Sequence, residues 1–509
     1  MSRAIFEARS HDAAGRLGRL RIPRANCTVE TPALLPVVNP HIQDIEPAEL
    51  ATEFGAEILI TNAYVLFQSE ELRTPAETDG IHAVLDFPGA VMTDSGSFQL
   101  AEYGTIDVDT ETILSFQDSI GSDIATPVDI PTSPDASRER AEADLTTTNE
   151  ALATAAAYPD TDMLISAPIQ GGRFPDLRTA AARQAAHHGL DVYPVGAVVP
   201  LLRRYEFGTI AELVIAAKQG LGVGAPVHLF GAGHPMMFAL GVALGCDLFD
   251  SAAYALYARD GRYMTISGTE TVEALDELPC SCPICLRHTS DSLAANETDL
   301  ARHNLYVSFA EMRRIKEAIR AGTLLELVES RVRAHPHLLD GYRTALESPA
   351  HFETNDPVTA RRPFFYLSAE SARRPAVTRH HERLSRIRPD TDILLIDSTL
   401  LGVDDWPSPW DSDLGIKLDG AADAASGEVW ILIPPFGPVP VALTHTYPLN
   451  AEVPTIHDMD AYRQAIVGLT ALCDHFDGSV TFLHDGMSEE LLGALPPSVN
   501  PAAASEVPI

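Results

Sequence analysis

The chain is constrained most by a repeated pattern in its first 250 residues, where short apolar runs alternate with segments of helical spacing. Eight runs can be interpreted as strands, at 33–38, 57–61, 90–94, 122–129, 163–170, 192–198, 226–233 and 246–250. Segments such as 137–158 and 176–189 carry their apolar residues at helical spacing. Eight strand-helix units of this size predict a closed (β/α)8 TIM-type barrel of parallel strands, in the α/β class.

The carboxyl ends of these runs carry residues that indicate a functional site. They are Asp94, Asp129, Gln170, Gly196 and Asp250. Barrels of this type place their chemistry at that end of the strands. A single carboxylate there could simply cap the following helix. Because five such positions share one predicted edge, we interpret them as parts of one site.

Three cysteines, Cys280, Cys282 and Cys285, lie within six residues and are followed by His303. A disulfide across Cys-x-Cys would be strained, and such spacing in a large chain favours metal binding. Three thiolates and one imidazole form a closed tetrahedral set, which predicts one structural zinc ion per chain. A free-thiol cluster is the alternative for the cysteines, and a core or capping role is the alternative for His303.

The charge balance is strongly acidic, with 71 Asp and Glu against 36 Lys and Arg and a net charge of −35. Because the acidic residues are spread along the chain and lysine is nearly absent, the sequence indicates a halophilic protein kept soluble in concentrated salt. An acidic protein with a basic partner is the alternative. No apolar run is long enough to cross a membrane and no apolar signal region begins the chain, so we expect a cytoplasmic protein without membrane association.

Changes of pattern predict four parts: a catalytic barrel (1–275), a zinc-binding subdomain with closing helices (276–349), an arginine-rich junction (350–389) and a small acidic α/β domain (390–509). One long helix is expected over 303–336. Beyond the barrel we expect strands at 364–368, 392–398, 428–435 and 479–485, and a frayed tail over 495–509.

The motifs taken together resemble the tRNA-guanine transglycosylases, and most closely their archaeal, archaeosine-forming branch. The resemblance covers about 10 to 345 and rests on several spaced motifs in the same order. These are Asp94-Ser95-Gly96-Ser97-Phe98-Gln99, Asp129, Ile169-Gln170-Gly171-Gly172, Gly196-Ala197-Val198, Phe249-Asp250 and the Cys280, Cys282, Cys285 and His303 set.

The resemblance implies exchange of the guanine at position 15, in the D-loop of tRNA, for the 7-deazaguanine base 7-cyano-7-deazaguanine. No nucleotide or redox cofactor is implied. Replacing a base with retained configuration requires two displacements at one anomeric carbon, and hence a nucleophile and an acid/base group, as in a retaining glycosidase. By resemblance, Asp250 is the nucleophile and Asp94 the acid/base, although the opposite assignment stays open.

Recognition of guanine is expected to use the remaining residues of the motifs. Asp129 can accept from N1–H and the 2-amino group, whereas Gln170 and a backbone N–H near Gly196 and Ala197 can serve O6. Phe98 can stack on the ring, and Ser95 is also assigned to the substrate site. The target nucleotide must leave its stack to enter the barrel, which costs a few kcal/mol.

One departure and two alternatives accompany this interpretation. Archaeal members commonly carry a carboxy-terminal PUA module that grips tRNA, and no such module is evident in the last 150 residues, so we expect a separate chain to supply one. A homodimer is a further candidate assembly. The alternatives are a non-catalytic tRNA-binding paralogue or partner subunit, and a metal-dependent barrel hydrolase. The hydrolase would need ligands at strand ends, where only His228 and His234 are available.

Overall fold

The structure is a computed structural model, and it describes residues 5–97, 108–159, 161–401, 427–454 and 458–503. The chain divides into two compact units, Met1–Asn355 and Asp356–Ile509. Both units are built on largely parallel sheets, and each is described by itself. None of the helices within these ranges is both long and apolar enough to cross a membrane.

The first unit contains the predicted barrel. An antiparallel sheet comes first in the chain, with strands Phe6–Asp12 (β1), Gly15–Ile22 (β2) and Cys27–Thr31 (β3). The barrel strands follow as Ala33–Val38 (β4), Ile58–Asn62 (β5), Ala90–Asp94 (β6), Ile124–Ala125 (β7), Leu164–Ile165 (β8), Tyr193–Val195 (β9), Val227–Leu229 (β10) and Leu248–Ser251 (β11). Each of these eight strands overlaps a predicted run, so the predicted fold class is confirmed.

The eight strands pair in parallel in the order β8-β7-β6-β5-β4-β11-β10-β9. The two outer strands of this order are joined by parallel bridges from Ser166 to Val192 and from Ile169 to Val195. The Ala167 amide donates to the Val192 carbonyl at 2.7 Å. These links close the sheet, although β7 and β8 are much shorter than the runs that predicted them. All strands therefore present their carboxyl ends to the same rim.

The barrel strands are apolar on both faces, as a fully covered parallel sheet requires. Leu35, Ile60 and Met92 point into one cluster at the centre, whereas Leu59 and Val91 point outward to the helices. Leu20, Ile22 and Val29 of the antiparallel sheet join the central cluster. That sheet, which the sequence patterns did not predict, covers the amino-terminal end of the barrel and leaves the carboxyl rim free for a pocket.

The helices of the first unit surround the barrel. In chain order (α1 to α16) they are Pro47–Thr52, Ala63–Gln68, Glu70–Asp79, Ile81–Leu85, Thr110–Ser119, Arg138–Ala156, Pro175–His188, Val199–Arg203, Phe207–Leu221, Pro235–Ala243, Ala253–Arg259, Ser290–Ala294, Glu297–Ala321, Leu324–Val332, Pro336–Leu346 and Pro349–Glu353. A 3₁₀ turn spans Val272–Ala274, and the hairpin strands Arg262–Thr265 (β12) and Gly268–Thr271 (β13) follow α11. The predicted helices at 137–158 and 176–189 correspond to α6 and α7.

The long helix predicted over 303–336 is wrong as a single element. Helix α13 ends at Ala321, and Gly322 follows in the left-handed conformation with φ of +72°. Glycine adopts this conformation without steric cost, so it ends the helix. The chain then continues as α14, whose first amide donates to Asp12 Oδ2 at 2.6 Å. The cysteine segment and these helices share one hydrophobic core with the barrel.

The second unit is built on a five-stranded sheet in the order β16-β15-β14-β17-β18. Its strands are Ile393–Asp397 (β14), Glu428–Ile433 (β15), Gly437–Pro440 (β16), Val480–His484 (β17) and Val499–Ala503 (β18), with only β16 antiparallel to its neighbour. Its helices are Pro375–Leu384 (α17), Met459–Cys473 (α18) and Glu489–Gly493 (α19), and its 3₁₀ turns are Ala369–Arg373, Ser398–Leu401 and Val441–Leu443. Three of the predicted strands correspond to β14, β15 and β17.

Two expectations for this unit are wrong. The segment 364–368 is not a strand, because only Phe365 forms a bridge, to Glu452, while Phe364 and Tyr366 pack into the core. The tail is not frayed over 499–503, because β18 pairs with β17 along its length. Asn500, Pro501, Ala502 and Ala503 have low strand propensity and gave little strand signal, and the neighbouring strand supplies the hydrogen bonds that order the segment.

Residues 356–389 of the arginine-rich junction belong to the second unit. Arg374 is buried and lies over the Phe364 ring, with its guanidinium carbon 5.0 Å from the ring centroid. Arg379 donates to the Asp356 carboxylate at 3.0 Å and to the Pro357 carbonyl at 3.1 Å. Two arginines of this segment therefore make contacts inside the fold, whereas Arg361 and Arg362 are exposed.

Candidate active site

A cavity of about 1030 Å³ opens at the carboxyl ends of the barrel strands. Its lining brings together six residues singled out from the sequence: Asp94, Asp129, Gln170, Gly196, Ala197 and Asp250. They come from the ends of β6, β11 and the segments after β7, β8 and β9. Residues far apart in the chain converge here because parallel strands end on a common rim.

Asp94 ends β6 and accepts a hydrogen bond from the Gly96 amide at 3.3 Å. Gly96 has a φ of +83°, and a side chain there would collide with Tyr64. Burial raises the pKa of Asp94 to about 7, and the nearby carboxylates of Asp129 and Asp250 add to this shift. A carboxyl group with this pKa can be protonated or ionised near neutral pH, as acid/base catalysis requires.

Asp129 and Gln170 form a buried pair in the cavity. Gln170 Nε2 donates to Asp129 Oδ2 at 2.6 Å, and Ser97 Oγ accepts from the Asp129 amide at 3.1 Å. Burial raises the pKa of Asp129, although the hydrogen bonds from Gln170 and Ser97 oppose the shift. Gly196 packs against this pair, since a Cβ there would lie 2.3 Å from Gln170 Nε2. A glycine is therefore needed behind the amide.

The turn that carries Gln170 is held from below by Arg178, a residue that sequence reasoning did not single out. Its guanidinium is fully buried and donates to the carbonyls of Ile169 at 2.5 Å and Gly172 at 3.0 Å. Burial lowers the pKa of Arg178 to about 10, so the group still carries its charge at neutral pH. The arginine fixes the backbone on both sides of Gln170.

Asp250 lies on β11 and faces the same cavity, with 14% of its side chain exposed. Its Oδ1 is 2.9 Å from His228 Nε2 and accepts from the Gly231 amide at 2.7 Å. Neither contact was predicted. The sequence did offer one signal for the contact with His228. A histidine inside the apolar run at 226–233 is a polar residue in a core strand, and such a residue needs a hydrogen-bond partner.

The remaining predicted residues of the site have different positions. Ala197 lines the cavity and has a φ of +57°, a conformation that is costly for a residue with a side chain and is typical of functional sites. Ser95 is buried and its hydroxyl bonds with that of Ser97 at 2.8 Å, outside the cavity lining of the described residues. Phe98 lies outside the described residues.

Aromatic rings that were not predicted also line the cavity. The Tyr205 and His335 rings stack with centroids 4.6 Å apart and an interplanar angle of 11°. The Tyr205 ring is about half exposed, at 48%. Burial lowers the pKa of His335, which favours its neutral form. An open aromatic face beside a cavity is the kind of surface on which a nucleic-acid base stacks.

The cysteines and histidine predicted as metal ligands come together away from this cavity. Their ligand atoms all lie within 4.8 Å of one another. His303 Nδ1 is 3.2 Å from Cys285 Sγ and 3.5 Å from Cys282 Sγ. A tetrahedral zinc site with ordinary bond lengths places such atoms about 3.6 Å apart. The four side chains therefore form a candidate metal site whose spacing fits one small tetrahedral ion.

The surroundings orient the histidine for this role. His303 Nε2 contacts the Met264 carbonyl at 3.0 Å, which favours a proton on Nε2 and leaves Nδ1 directed at the sulfurs. The Tyr263 ring stacks on the imidazole with centroids 3.7 Å apart, and its hydroxyl contacts Cys285 Sγ at 3.3 Å. The imidazole is fully buried, so a bound ion would have no solvent-open position on that side.

The histidines at the rim do not form a second metal site. His228 contacts Asp250, whereas His234 Nε2 contacts the Thr269 hydroxyl at 2.9 Å. Burial lowers the pKa of His234 to about 4. Among the described residues, the cysteine and histidine cluster is the one group with the spacing of metal ligands. The arrangement at the rim therefore favours carboxylate chemistry over a catalytic metal.

Comparison with known proteins gives a consistent result. The family model of queuine tRNA-ribosyltransferase matches residues 11–337. The tRNA-guanine(15) transglycosylase of Haloferax volcanii is 54% identical over 99% of this chain and 94% of its own length. The enzyme of the same name from Haloarcula marismortui is 53% identical over 97% of this chain and 98% of its own length. The one from Methanocaldococcus jannaschii is 43% identical over 89% of this chain and 69% of its own length.

Proposed function

The chain belongs to the queuine tRNA-ribosyltransferase family, and on that premise we propose that it is a tRNA-guanine transglycosylase, a pentosyltransferase that exchanges a guanine base in tRNA. The observation that carries the proposal is the convergence of three carboxylates, Asp94, Asp129 and Asp250, on one cavity beside Gln170. The names of the relatives support position 15 as the target. The incoming base is 7-cyano-7-deazaguanine, as in archaeosine biosynthesis.

In the first displacement, Asp250 attacks C1′ of the target nucleotide. A bond forms between its carboxylate oxygen and C1′, while the bond from C1′ to the base nitrogen breaks and its electron pair goes to the departing guanine. Asp94, whose raised pKa of about 7 allows it to be protonated near neutral pH, supplies the proton that the base takes up. The products are free guanine and a ribosyl-Asp250 ester within an unbroken tRNA strand.

The second displacement restores the enzyme. The Asp94 carboxylate takes the N9 proton of the incoming base, whose nitrogen forms the new bond to C1′. The electron pair of the ester bond returns to Asp250. Two inversions at one carbon give retained configuration, and Asp94 regains its proton. The opposite assignment, with Asp94 as the nucleophile, would require an ionised Asp94 at the start, and identification of the covalent adduct distinguishes the two assignments.

Asp129 and Gln170 form the recognition face for the base. Asp129 accepts from N1–H and the 2-amino group of guanine, and the second N–H of Gln170 donates to O6. Both side chains are buried and already bonded to each other at 2.6 Å, so their positions are set before the base enters. A base that lacked these groups would leave buried polar atoms unpaired, which excludes adenine strongly. Gly196, Ala197, Ser95 and Phe98 complete the proposed substrate site.

The ion at the cysteine cluster is zinc with a structural role. Three thiolates and one imidazole leave no open coordination position, so the ion would contribute free energy of folding rather than chemistry. The ion would link Cys280, Cys282 and Cys285 to His303, which lies on α13. Metal analysis of the purified chain should find about one zinc per molecule, and Cys282→Ser should remove the ion and lower the melting temperature. A zinc-free variant with unchanged stability would contradict the structural role.

Base exchange can be measured directly with radiolabelled guanine and a tRNA transcript that carries guanine at position 15. We expect label to enter this tRNA and not a transcript with adenosine at that position. Unlabelled 7-cyano-7-deazaguanine should then displace the label. Asp129→Ala should weaken the preference for guanine over adenine by roughly 10- to 100-fold, because a charged hydrogen-bond partner is lost.

The same assay separates the alternatives. A non-catalytic paralogue or partner subunit would bind tRNA without incorporating label, and a hydrolase would release guanine without inserting another base. Trapping the covalent tRNA adduct and sequencing the labelled peptide identifies the nucleophile. A label on Asp94 would reverse the roles of the two aspartates. A cytoplasmic location, a homodimer and a PUA-type module on a separate chain are further parts of the proposal.

A further inference from the structure

His228 lies in the middle of β10 and is fully buried, yet it has no role in the exchange chemistry described for the aspartates. Its Nε2 lies 2.9 Å from Oδ1 of Asp250, the proposed nucleophile. The Phe230 ring packs edge-on to the imidazole, with centroids 4.5 Å apart and an interplanar angle of 85°. The imidazole is therefore held in one orientation by packing, with one nitrogen directed at the carboxylate.

The carboxylate has a second donor on the same oxygen. The Gly231 amide donates to Asp250 Oδ1 at 2.7 Å. Gly231 has a φ of +71°, and a Cβ there would lie 2.2 Å from the Val199 side chain. Only glycine fits this position, so the backbone N–H is aimed at the carboxylate by the turn itself. Two donors on different residues thus converge on one oxygen.

The protonation of His228 follows from its other nitrogen. Nδ1 is buried and has no hydrogen-bond partner among the described residues. A proton on Nδ1 would be a buried donor without an acceptor, which is costly, whereas a bare Nδ1 lone pair costs less. Of the two tautomers, the geometry therefore favours the one with its proton on Nε2, which donates to Asp250.

We propose that His228 is the positioning residue of the nucleophile, which together with the Gly231 amide holds Oδ1 of Asp250 and leaves Oδ2 as the oxygen that attacks C1′. The inference rests on the proposed function. In the first displacement, Oδ2 of Asp250 forms a bond to C1′ while the bond from C1′ to the guanine nitrogen breaks. The departing guanine takes the electron pair of that bond and the proton of Asp94. The held oxygen keeps both hydrogen bonds and becomes the carbonyl oxygen of the ester.

Two substitutions distinguish positioning from packing. His228→Leu keeps the apolar contact with Phe230 and removes the donor, whereas His228→Gln places an amide N–H near the position of Nε2. His351→Gln is the control, because His351 is a partly buried histidine of the same unit whose Nε2 contacts the Leu244 carbonyl at 3.0 Å, away from the proposed site. Each variant is first checked for unchanged melting temperature and zinc content.

The rate of adduct formation is then measured in single-turnover experiments with the full chain and tRNA. His228→Leu should slow adduct formation about 10- to 100-fold, the expected effect of losing one hydrogen bond to a charged group. The Michaelis constant for tRNA should stay within about twofold, because the residue does not touch the base. His228→Gln should recover the rate to within about fivefold of the unsubstituted chain.

The inference is overturned if folded His228→Leu forms adduct at the unsubstituted rate, if His228→Gln is as slow as His228→Leu, or if the loss appears in the Michaelis constant alone. If the unsubstituted chain forms no adduct, the proposed function fails and this inference fails with it. If the unsubstituted chain exchanges the base but the His228 variants give any of the first three results, the proposed function stands and only the positioning role of His228 is overturned.

Discussion

The two ends of the barrel use the same residue type for opposite purposes, and β11 shows this within four residues. Asp247 immediately precedes the strand at the amino-terminal end, and Asp250 lies within it at the carboxyl rim. Asp247 forms two bonds with Arg16, both 2.8 Å long, and accepts from the Val227 amide at 2.9 Å. Asp250 has the His228 imidazole and the Gly231 amide as its partners.

The contrast extends to the neighbouring strands. At the amino-terminal end, Asp123 accepts from the Val91 amide at 2.7 Å and lies 3.0 Å from His82 Nε2. At the rim, burial raises the pKa values of Asp94 and Asp129. Among the described residues, no arginine or lysine forms an ion pair with the rim carboxylates. Carboxylates paired with arginine stabilise the barrel, whereas carboxylates without an arginine or lysine partner keep the reactivity that catalysis uses.

The largest expected effect is at the rim. Asp250→Asn removes the nucleophile while its amide oxygen can still accept from Gly231, so the fold and the metal should be retained. Base exchange should fall by at least about 10⁴-fold, as when a catalytic nucleophile is removed from other enzymes. The measurement is incorporation of labelled guanine, with the melting temperature recorded on the same sample. Exchange within tenfold of the unsubstituted rate would show that Asp250 does not attack.

The matched substitution at the amino-terminal end of the barrel should lower the stability of the fold and leave the activity nearly unchanged. Asp247→Asn leaves Arg16 as a buried charge without its carboxylate, which typically costs about 3–5 kcal/mol of unfolding free energy. Activity per folded molecule should change little. Chemical denaturation in concentrated salt measures the first quantity, and exchange at low temperature measures the second. Equal losses of activity from both substitutions would remove the distinction between the two ends.

The sequence predicted the rim better than the opposite end, and the reason is physical. Rim residues follow recognisable apolar strands, so Asp94, Asp129 and Gln170 could be assigned to one edge from the repeat alone. Arg16 and Asp247 are 231 positions apart, and no local pattern links them. The contact of His228 with Asp250 was missed for the same reason, because it depends on the pairing of two strands in space.

A smaller effect concerns stability against pH at the rim. The pKa of Asp94 is about 7 in the folded chain against 3.8 for an ordinary aspartate. Between these values the unfolded chain has lost a proton that the folded chain keeps, so the free energy of unfolding decreases as pH rises from about 4 to 7. Asp94→Asn should therefore stabilise the chain above pH 7. The gain should be a few kcal/mol at most, on the scale of about 1.4 kcal/mol per pKa unit, because Asp94 is partly exposed to the pocket.

This expectation is checked by denaturation of both proteins at pH 4 and pH 8. The two should have similar stability at pH 4, and the variant should be the more stable at pH 8 although its exchange activity is lost. A variant that is less stable than the parent at pH 8 would show that Asp94 is paired in the folded chain, like the carboxylates at the amino-terminal end.

The smallest expected effect tests the amino-terminal end by the same method. The hydrogen bond with Asp123 raises the pKa of His82 above its ordinary value of 6.5, although burial opposes the shift. The pair therefore stabilises the fold fully below pH 6.5, and this contribution is lost as pH rises through the folded pKa. The imidazole is 37% exposed and solvent screens it, so the contribution should be below about 1 kcal/mol.

His82→Gln should lower the unfolding free energy at pH 5.5 and leave it nearly unchanged at pH 9. A loss that is larger at pH 9 would mean that the histidine acts by packing alone, and the charge pairing ascribed to this end would then rest on Arg16 and Asp247.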